Sequence, residues 1–130
     1  MLIADDSSAI RDSLAALVSR IKKVEIVGFA QTGLEALEKI RALKPDVVTL
    51  DIRMPELNGI KVLEAMQREQ LQVTTIVLTG STEEEYRREC VSLGAKHYFH
   101  KATEFELVLE VLEDHAGRLS RAPRKHLLLV

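Results

Sequence analysis

Short apolar runs alternate with stretches of helical period along most of this chain, and that alternation leaves few architectures open. Leu2–Ala4, Val24–Ala30, Val47–Leu50, Val73–Leu78 and Ala95–Phe99 read as five strands. Val47–Leu50 and Val73–Leu78 are almost continuously apolar and rich in β-branched residues, as expected of parallel strands covered on both faces. Ala95–Phe99 carries Lys96 and His97, which suits an edge strand.

The intervening segments have readable helix starts. Ile10, Leu14, Leu17, Val18 and Ile21 form one stripe at helical spacing. Thr32 with Glu35, and Thr103 with Glu106, match the reciprocal capping pattern of a helix N-terminus. Asn58–Gly59 opens a helix carrying Val62, Leu63 and Met66 inward. Ser81 or Thr82 opens another, with Glu83, Glu84 and Glu85 in a solvated first turn that suits the helix dipole. Gly94 closes that helix in a left-handed conformation. On the last helix Phe105, Val108, Leu109 and Leu112 form the expected core stripe, with Leu107 and Val111 off it. Strict strand–helix alternation implies right-handed crossovers and a parallel sheet with helices on both faces.

With 130 residues there is one domain's worth of chain, and aromatic residues at 4% leave Val, Ile, Leu and Ala to fill the core. A net charge of −2 provides no electrostatic case for direct nucleic-acid binding. The single cysteine, Cys90, excludes an internal disulfide framework and reads as a packing residue of a cytoplasmic protein. No apolar run is long enough to cross a membrane, and Asp5–Asp6 interrupt the N-terminus too early for a signal peptide. From Gly117 the character changes: Arg118, Arg121, Arg124 and Lys125 surround Pro123, and Leu127–Val130 is apolar. The expected division is therefore a domain over 1–116 and a tail over 117–130, read as a linker, a stray strand or a tag-like end.

In an open parallel sheet, ligands bind beyond the carboxyl ends of the strands. Asp5 and Asp6 follow the first strand, Asp51 the third, Thr79 the fourth and Lys101 the fifth. Three carboxylates in one crevice repel each other unless a cation or a proton intervenes, and Mg²⁺, hard and oxygen-seeking, is a natural answer. An aspartate can attack phosphorus to form an acyl phosphate, and Asp51 on the central strand is the better nucleophile. Asp5 or Asp6 would then hold the metal, while Lys101 and Thr79 neutralise and hydrogen-bond phosphate oxygens.

The runs Leu2-Ile3-Ala4-Asp5-Asp6-Ser7 and Asp46-Val47-Val48-Thr49-Leu50-Asp51-Ile52-Arg53-Met54-Pro55, with Asn58-Gly59, Leu78-Thr79 and Tyr98-Phe99-His100-Lys101, resemble response-regulator receiver domains of two-component signalling. The resemblance covers about residues 1–116. It implies a (βα)5, flavodoxin-like, doubly wound parallel sheet in the order 2-1-3-4-5. It further implies Asp51 as phospho-acceptor, Mg²⁺ held by Asp5, Asp6, Asp51 and the Arg53 backbone carbonyl, and Thr79 and Tyr98 as the switch pair. A sensor histidine kinase or phosphotransfer protein would supply the phosphoryl group. The face formed by the fourth helix, fifth strand and fifth helix would carry the signal or a homodimer contact. Activity would be limited to the domain's own phosphorylation and dephosphorylation.

Two departures stand out. Ala102 occupies a position where the family often has proline after a cis bond, and the first strand is very short. Receivers of LuxR-type regulators often lack that proline too, and Val24-Glu25-Ile26-Val27-Gly28 is similar to theirs. The competing readings are weaker. A haloacid-dehalogenase-like phosphatase needs a second aspartate where this chain has Arg53, and a flavin module would meet repulsion at Asp5–Asp6. His97, His100, His115 and His126 lack the spacing of a zinc site, and His97 and His100 are expected at the surface. Output is either protein contact or the receiver function of a DNA-binding regulator.

Overall fold

A computed structural model describes residues 1–121, the last four in backbone only; of the tail expected over 117–130, residues 117–121 continue the last helix, and 122–130 lie outside the described residues. Five strands alternate with five helices: β1 Leu2–Ala4, α1 Ser8–Val18, β2 Gly28–Ala30, α2 Gly33–Leu43, β3 Val47–Leu50, α3 Gly59–Arg68, β4 Thr74–Thr79, α4 Glu84–Ser92, β5 His97–His100 and α5 Leu107–Arg121. All neighbouring strands are parallel, in the order β2-β1-β3-β4-β5. The strand order is the one the resemblance implies.

Period-two alternation along each strand splits the core into two layers. Leu2, Ala4, Val48, Leu50 and Val77 pack with Ala36, Ile40, Val62, Leu63 and Cys90 on the α2–α4 side. Ile3, Val47, Ile76 and Leu78 face Leu14, Val18, Val108 and Leu112 on the side of α1 and α5. Three of the four central-strand residues of β3 are apolar and all four are buried, as a doubly covered strand requires.

Local capping accounts for most helix starts. The Ser7, Thr32 and Asn58 side chains accept from the amides of Ile10, Glu35 and Lys61. Glu35 Oε1 reaches back to the amide of Gln31, one residue before the position a reciprocal box would use. Gly94, at φ 99°, has the left-handed conformation expected of it.

Several boundaries differ from expectation. β2 begins at Gly28 instead of Val24, although the pairing contacts continue past it: Val27 donates to the Met1 carbonyl, and the Met1 amino group donates to the Glu25 carbonyl at 2.8 Å. β4 and β5 each run one residue further toward the site, to Thr79 and His100. α4 starts at Glu84 because Ser81 is engaged in the preceding turn: its amide donates to Thr79 Oγ1 and its Oγ accepts from Glu83. Thr103 and Glu106 form no cap; 103 and 104 turn back onto the His100 carbonyl, and α5 begins only at Leu107. Val111 packs in the core beside Phe105, Val108 and Leu112, whereas Leu109 lies outside that cluster, as does Leu17 on α1. The described residues contain no cis peptide bond, so the Lys101–Ala102 bond is trans.

Candidate phosphoryl-transfer and metal site

The carboxyl ends of β1, β3 and β4 and the loop after β5 meet at one edge of the sheet. Backbone pairing carries the loops there: Asp5 donates to the Ala30 carbonyl, Asp51 to that of Ala4, and Lys101 to that of Thr79. The Asp5 side chain is fixed further by the Ser7 amide on Oδ1 at 2.9 Å, and its carbonyl accepts from Arg11 at 2.8 Å. Asp5 and Asp51 are buried; Asp6 is exposed.

Lys101 joins the buried acids. Its Nζ lies 2.7 Å from Asp5 Oδ2 and 2.9 Å from Asp51 Oδ2. Burial pushes the Asp51 carboxyl above the usual aspartate range; the hydrogen bond and charge of Lys101 act against this without cancelling it, and the Arg53 backbone amide also favours the anion. Burial works against the Lys101 ammonium too, yet its bonds to Asp5 and Asp51 outweigh that and hold it above the ordinary lysine range.

One oxygen from each of Asp5, Asp6 and Asp51 lies within 4.8 Å of the others. Ligands of an octahedral Mg²⁺ stand about 3 Å apart when adjacent and about 4 Å when opposite, so the three side chains would draw together to share one ion. Three carboxylates against one ammonium also leave the negative excess that a hard cation would neutralise.

Asp6, Asp51, Arg53, Thr79, Gly80, Ser81, Thr82, Glu83 and Lys101 line a cavity of about 420 Å³. Of the residues singled out from sequence, Asp5, Asp6, Asp51, Arg53, Thr79 and Lys101 thus gather at this edge. Tyr98 does not. It sits two residues before the end of β5, buried beside Cys90, with the Arg87 guanidinium 5.4 Å from its ring centre. Its hydroxyl is buried without a hydrogen-bond partner, and burial raises its pKa. A larger hollow of about 590 Å³ lies at the far end of the sheet around Gln67, Gln70 and Gln72, and no titratable side chain lines it.

Sequence reading missed four contributors. Ser81 and Glu83 follow Thr79 directly, and the same strand-end argument extended by four residues would have found them. Arg11 carried no signal, since its bond to the Asp5 carbonyl six residues earlier depends on how the turn after β1 folds. His100, expected at the surface, is half-buried and accepts from the Ala102 amide through Nδ1.

Comparison with known proteins agrees with this geometry. The response regulator receiver domain family matches residues 1–113. An uncharacterized transcriptional regulatory protein, YhcZ, of Bacillus subtilis (strain 168) is 36% identical over 130 residues, covering 98% of this chain and 61% of that protein. A protein-glutamate methylesterase/protein-glutamine glutaminase of Methanospirillum hungatei is 39% identical over 113 residues, covering 85% of this chain and 33% of the relative. The chain thus spans less than two thirds of either relative. Among solved structures, a LuxR-family DNA-binding response regulator from Staphylococcus aureus superposes with a TM-score of 0.81 at 27% identity, covering 88% of this chain and 96% of that one. The response regulator domain of Thermotoga maritima CheB gives 0.78 at 32% identity, over 94% and 96%. With its sheet order, its acidic strand ends and a match over nearly the whole described chain, the protein belongs to the response regulator receiver domain family of two-component systems.

Proposed function

We propose that Asp51 is the acceptor of this receiver domain, taking a phosphoryl group from a histidine kinase or phosphotransfer protein. An Asp51 oxygen attacks phosphorus, the bond to the donor's leaving group breaks, and that group departs with the electron pair. Asp5, Asp6, Asp51 and the Arg53 carbonyl would hold Mg²⁺, which supplies charge neutralisation to the transferring oxygens. Lys101 balances another oxygen as a point charge. Thr79 uses its Oγ1 to accept from Ser81, which leaves its hydroxyl hydrogen available to the incoming phosphate. The observation that carries the reading is Lys101 bridging Asp5 and Asp51 beside Asp6.

Thr79 and Tyr98 are the proposed relay. β4 and β5 are paired in register through Val77–Tyr98 and Thr79–His100, so a shift of Thr79 is felt on β5. The Tyr98 hydroxyl has no bond to break when the ring moves. The receiving surface is α4, β5 and α5, where Val91 is exposed and which would also carry a homodimer. Output follows either by protein contact or within a DNA-binding regulator, as the names of several relatives suggest, without direct nucleic-acid contact by this domain. No described helix is long and apolar enough to cross a membrane, and the proposed setting is the cytoplasm. The domain catalyses only its own phosphorylation and dephosphorylation. The phosphatase alternative is not favoured, since Arg53 stands where it needs an aspartate and the family matched is a different one.

Acetyl phosphate or beryllofluoride with Mg²⁺ tests the assignment. Wild type should be labelled or saturated, Asp51→Asn should not, and chelator should abolish the reaction. Equal labelling of Asp51→Asn would refute the acceptor.

A further inference from the structure

The loop that delivers Lys101 is organised by two side chains outside the acidic cluster. From residue 100 to residue 104 every backbone N–H has an acceptor. His100 donates to Glu104 Oε1 at 3.1 Å and Lys101 to the Thr79 carbonyl at 2.8 Å. Ala102 donates to His100 Nδ1 at 3.2 Å, and Thr103 and Glu104 both donate to the His100 carbonyl at 3.3 and 2.8 Å. Two of the five bonds end on side-chain acceptors, and both side chains lie within three residues of Lys101.

The His100 bond spans two residues, the pattern by which Asn or Asp side chains imitate a backbone turn. It needs an N–H at position 102, which alanine has and proline lacks. Accepting at Nδ1 requires the proton on Nε2; that nitrogen is buried without a hydrogen-bond partner, so the Nδ1 contact is what orients the ring. Glu104 closes the loop from the other side, its carboxylate on the His100 amide and its own amide on the His100 carbonyl. Lysine's four-carbon stem is flexible, so a fixed backbone origin matters to where its ammonium stands.

We infer that His100 and Glu104 are positioning residues for Lys101, setting the loop from which its ammonium reaches Asp5 and Asp51. The inference rests on the proposed role of Lys101 in phosphoryl transfer. It also specifies the chemistry required at each place: a hydrogen-bond acceptor two residues before 102, and a second acceptor at 104.

The test compares truncating and acceptor-preserving variants of the same chain. His100→Leu and Glu104→Leu should slow labelling by acetyl phosphate and Mg²⁺ about tenfold, the factor matching loss of one hydrogen bond's net worth. His100→Asn and Glu104→Gln keep an acceptor and should stay within about threefold of wild type on the same basis. A purely structural role would not discriminate between leucine and asparagine in this way. In ¹⁵N spectra of the wild-type imidazoles at pH 8, His100 should be the Nε2–H tautomer. Wild-type labelling rates in both leucine variants, or a proton found on Nδ1, would overturn the inference while leaving the acceptor assignment intact. A wild-type chain that takes no label would instead defeat the functional reading on which it rests.

Discussion

The ammonium of Lys101 stands 2.9 Å from a carboxylate oxygen of Asp51, fifty residues earlier in the chain, and 2.7 Å from one of Asp5. Both acids are buried, so this one cation offsets two desolvated anions. Removing one partner of such a group leaves charge unpaired in low dielectric. Lys101→Met should therefore lose on the order of 3 kcal/mol of stability at pH 7 without divalent ions. Millimolar Mg²⁺ should restore more stability to the variant than to wild type. Urea titrations with and without Mg²⁺ measure both effects; an equal Mg²⁺ response in the two proteins would count against the metal assignment.

Arg53 is exposed and lines the cavity two residues after Asp51, the proposed acceptor. Its guanidinium can screen an acyl phosphate from water. Arg53→Ala should hydrolyse its phosphate several-fold faster, followed by loss of radiolabel. Slower hydrolysis in the variant would assign Arg53 the opposite role.

Gly59 lies against the backbone of Asp51. A Cβ there would stand 2.2 Å from the Asp51 carbonyl oxygen and 2.9 Å from Ile52 Cα, contacts that no side-chain rotation relieves. Gly59→Ala should cost about 1–3 kcal/mol through overpacking and should also reduce labelling by displacing Asp51. Normal stability with normal labelling would show that the loop yields freely.

The Thr49 hydroxyl is buried on the central strand without a hydrogen-bond partner. Thr49→Val keeps the β-branched shape and removes that unsatisfied group. Stability should rise by about 1 kcal/mol, readable as a higher urea midpoint at unchanged slope. A destabilised valine variant would mean that the hydroxyl has a partner in solution.

Burial, with the nearby Glu89 charge, pushes the Cys90 thiol up to about 11. Alkylation by iodoacetamide at pH 8 should be about 250-fold slower in the folded than in the urea-unfolded chain, from thiolate fractions alone. The fold retains the thiol proton that the unfolded chain releases near pH 8.5. The associated stability is complete below that pH and declines as pH rises toward 11. Cys90→Ala should flatten the alkaline limb of the stability profile.

The site was legible because strand ends can be located by period alone. Asp51 follows Val47–Leu50, Thr79 ends a second β-branched run, and Asp5, Asp6 and Lys101 fall at the corresponding places of β1 and β5. Period-two and helical patterns survive in one dimension because each residue's face depends on its immediate neighbours. The same reasoning misplaced the start of β2 and read a cap into Thr103–Glu106, where the amides of 103 and 104 had a nearer acceptor in the His100 carbonyl.

What the chain's order of residues determined was the alternation of elements, the doubly covered sheet and the residue types standing at its carboxyl edge. Only the tertiary structure decided that Lys101 bridges Asp5 and Asp51, that Arg11 holds the Asp5 carbonyl, that Gly59 abuts the Asp51 carbonyl and that His100 Nδ1 accepts from the Ala102 amide. The bridge is set by how loops from three different strands meet at the sheet edge, whereas the Arg11 bond and the Gly59 contact form within single strand-to-helix connections and depend on how each connection turns. The His100 bond, though local, depends on which of several nearby acceptors the folded loop brings to the Ala102 amide, and hydrophobic period does not encode that choice.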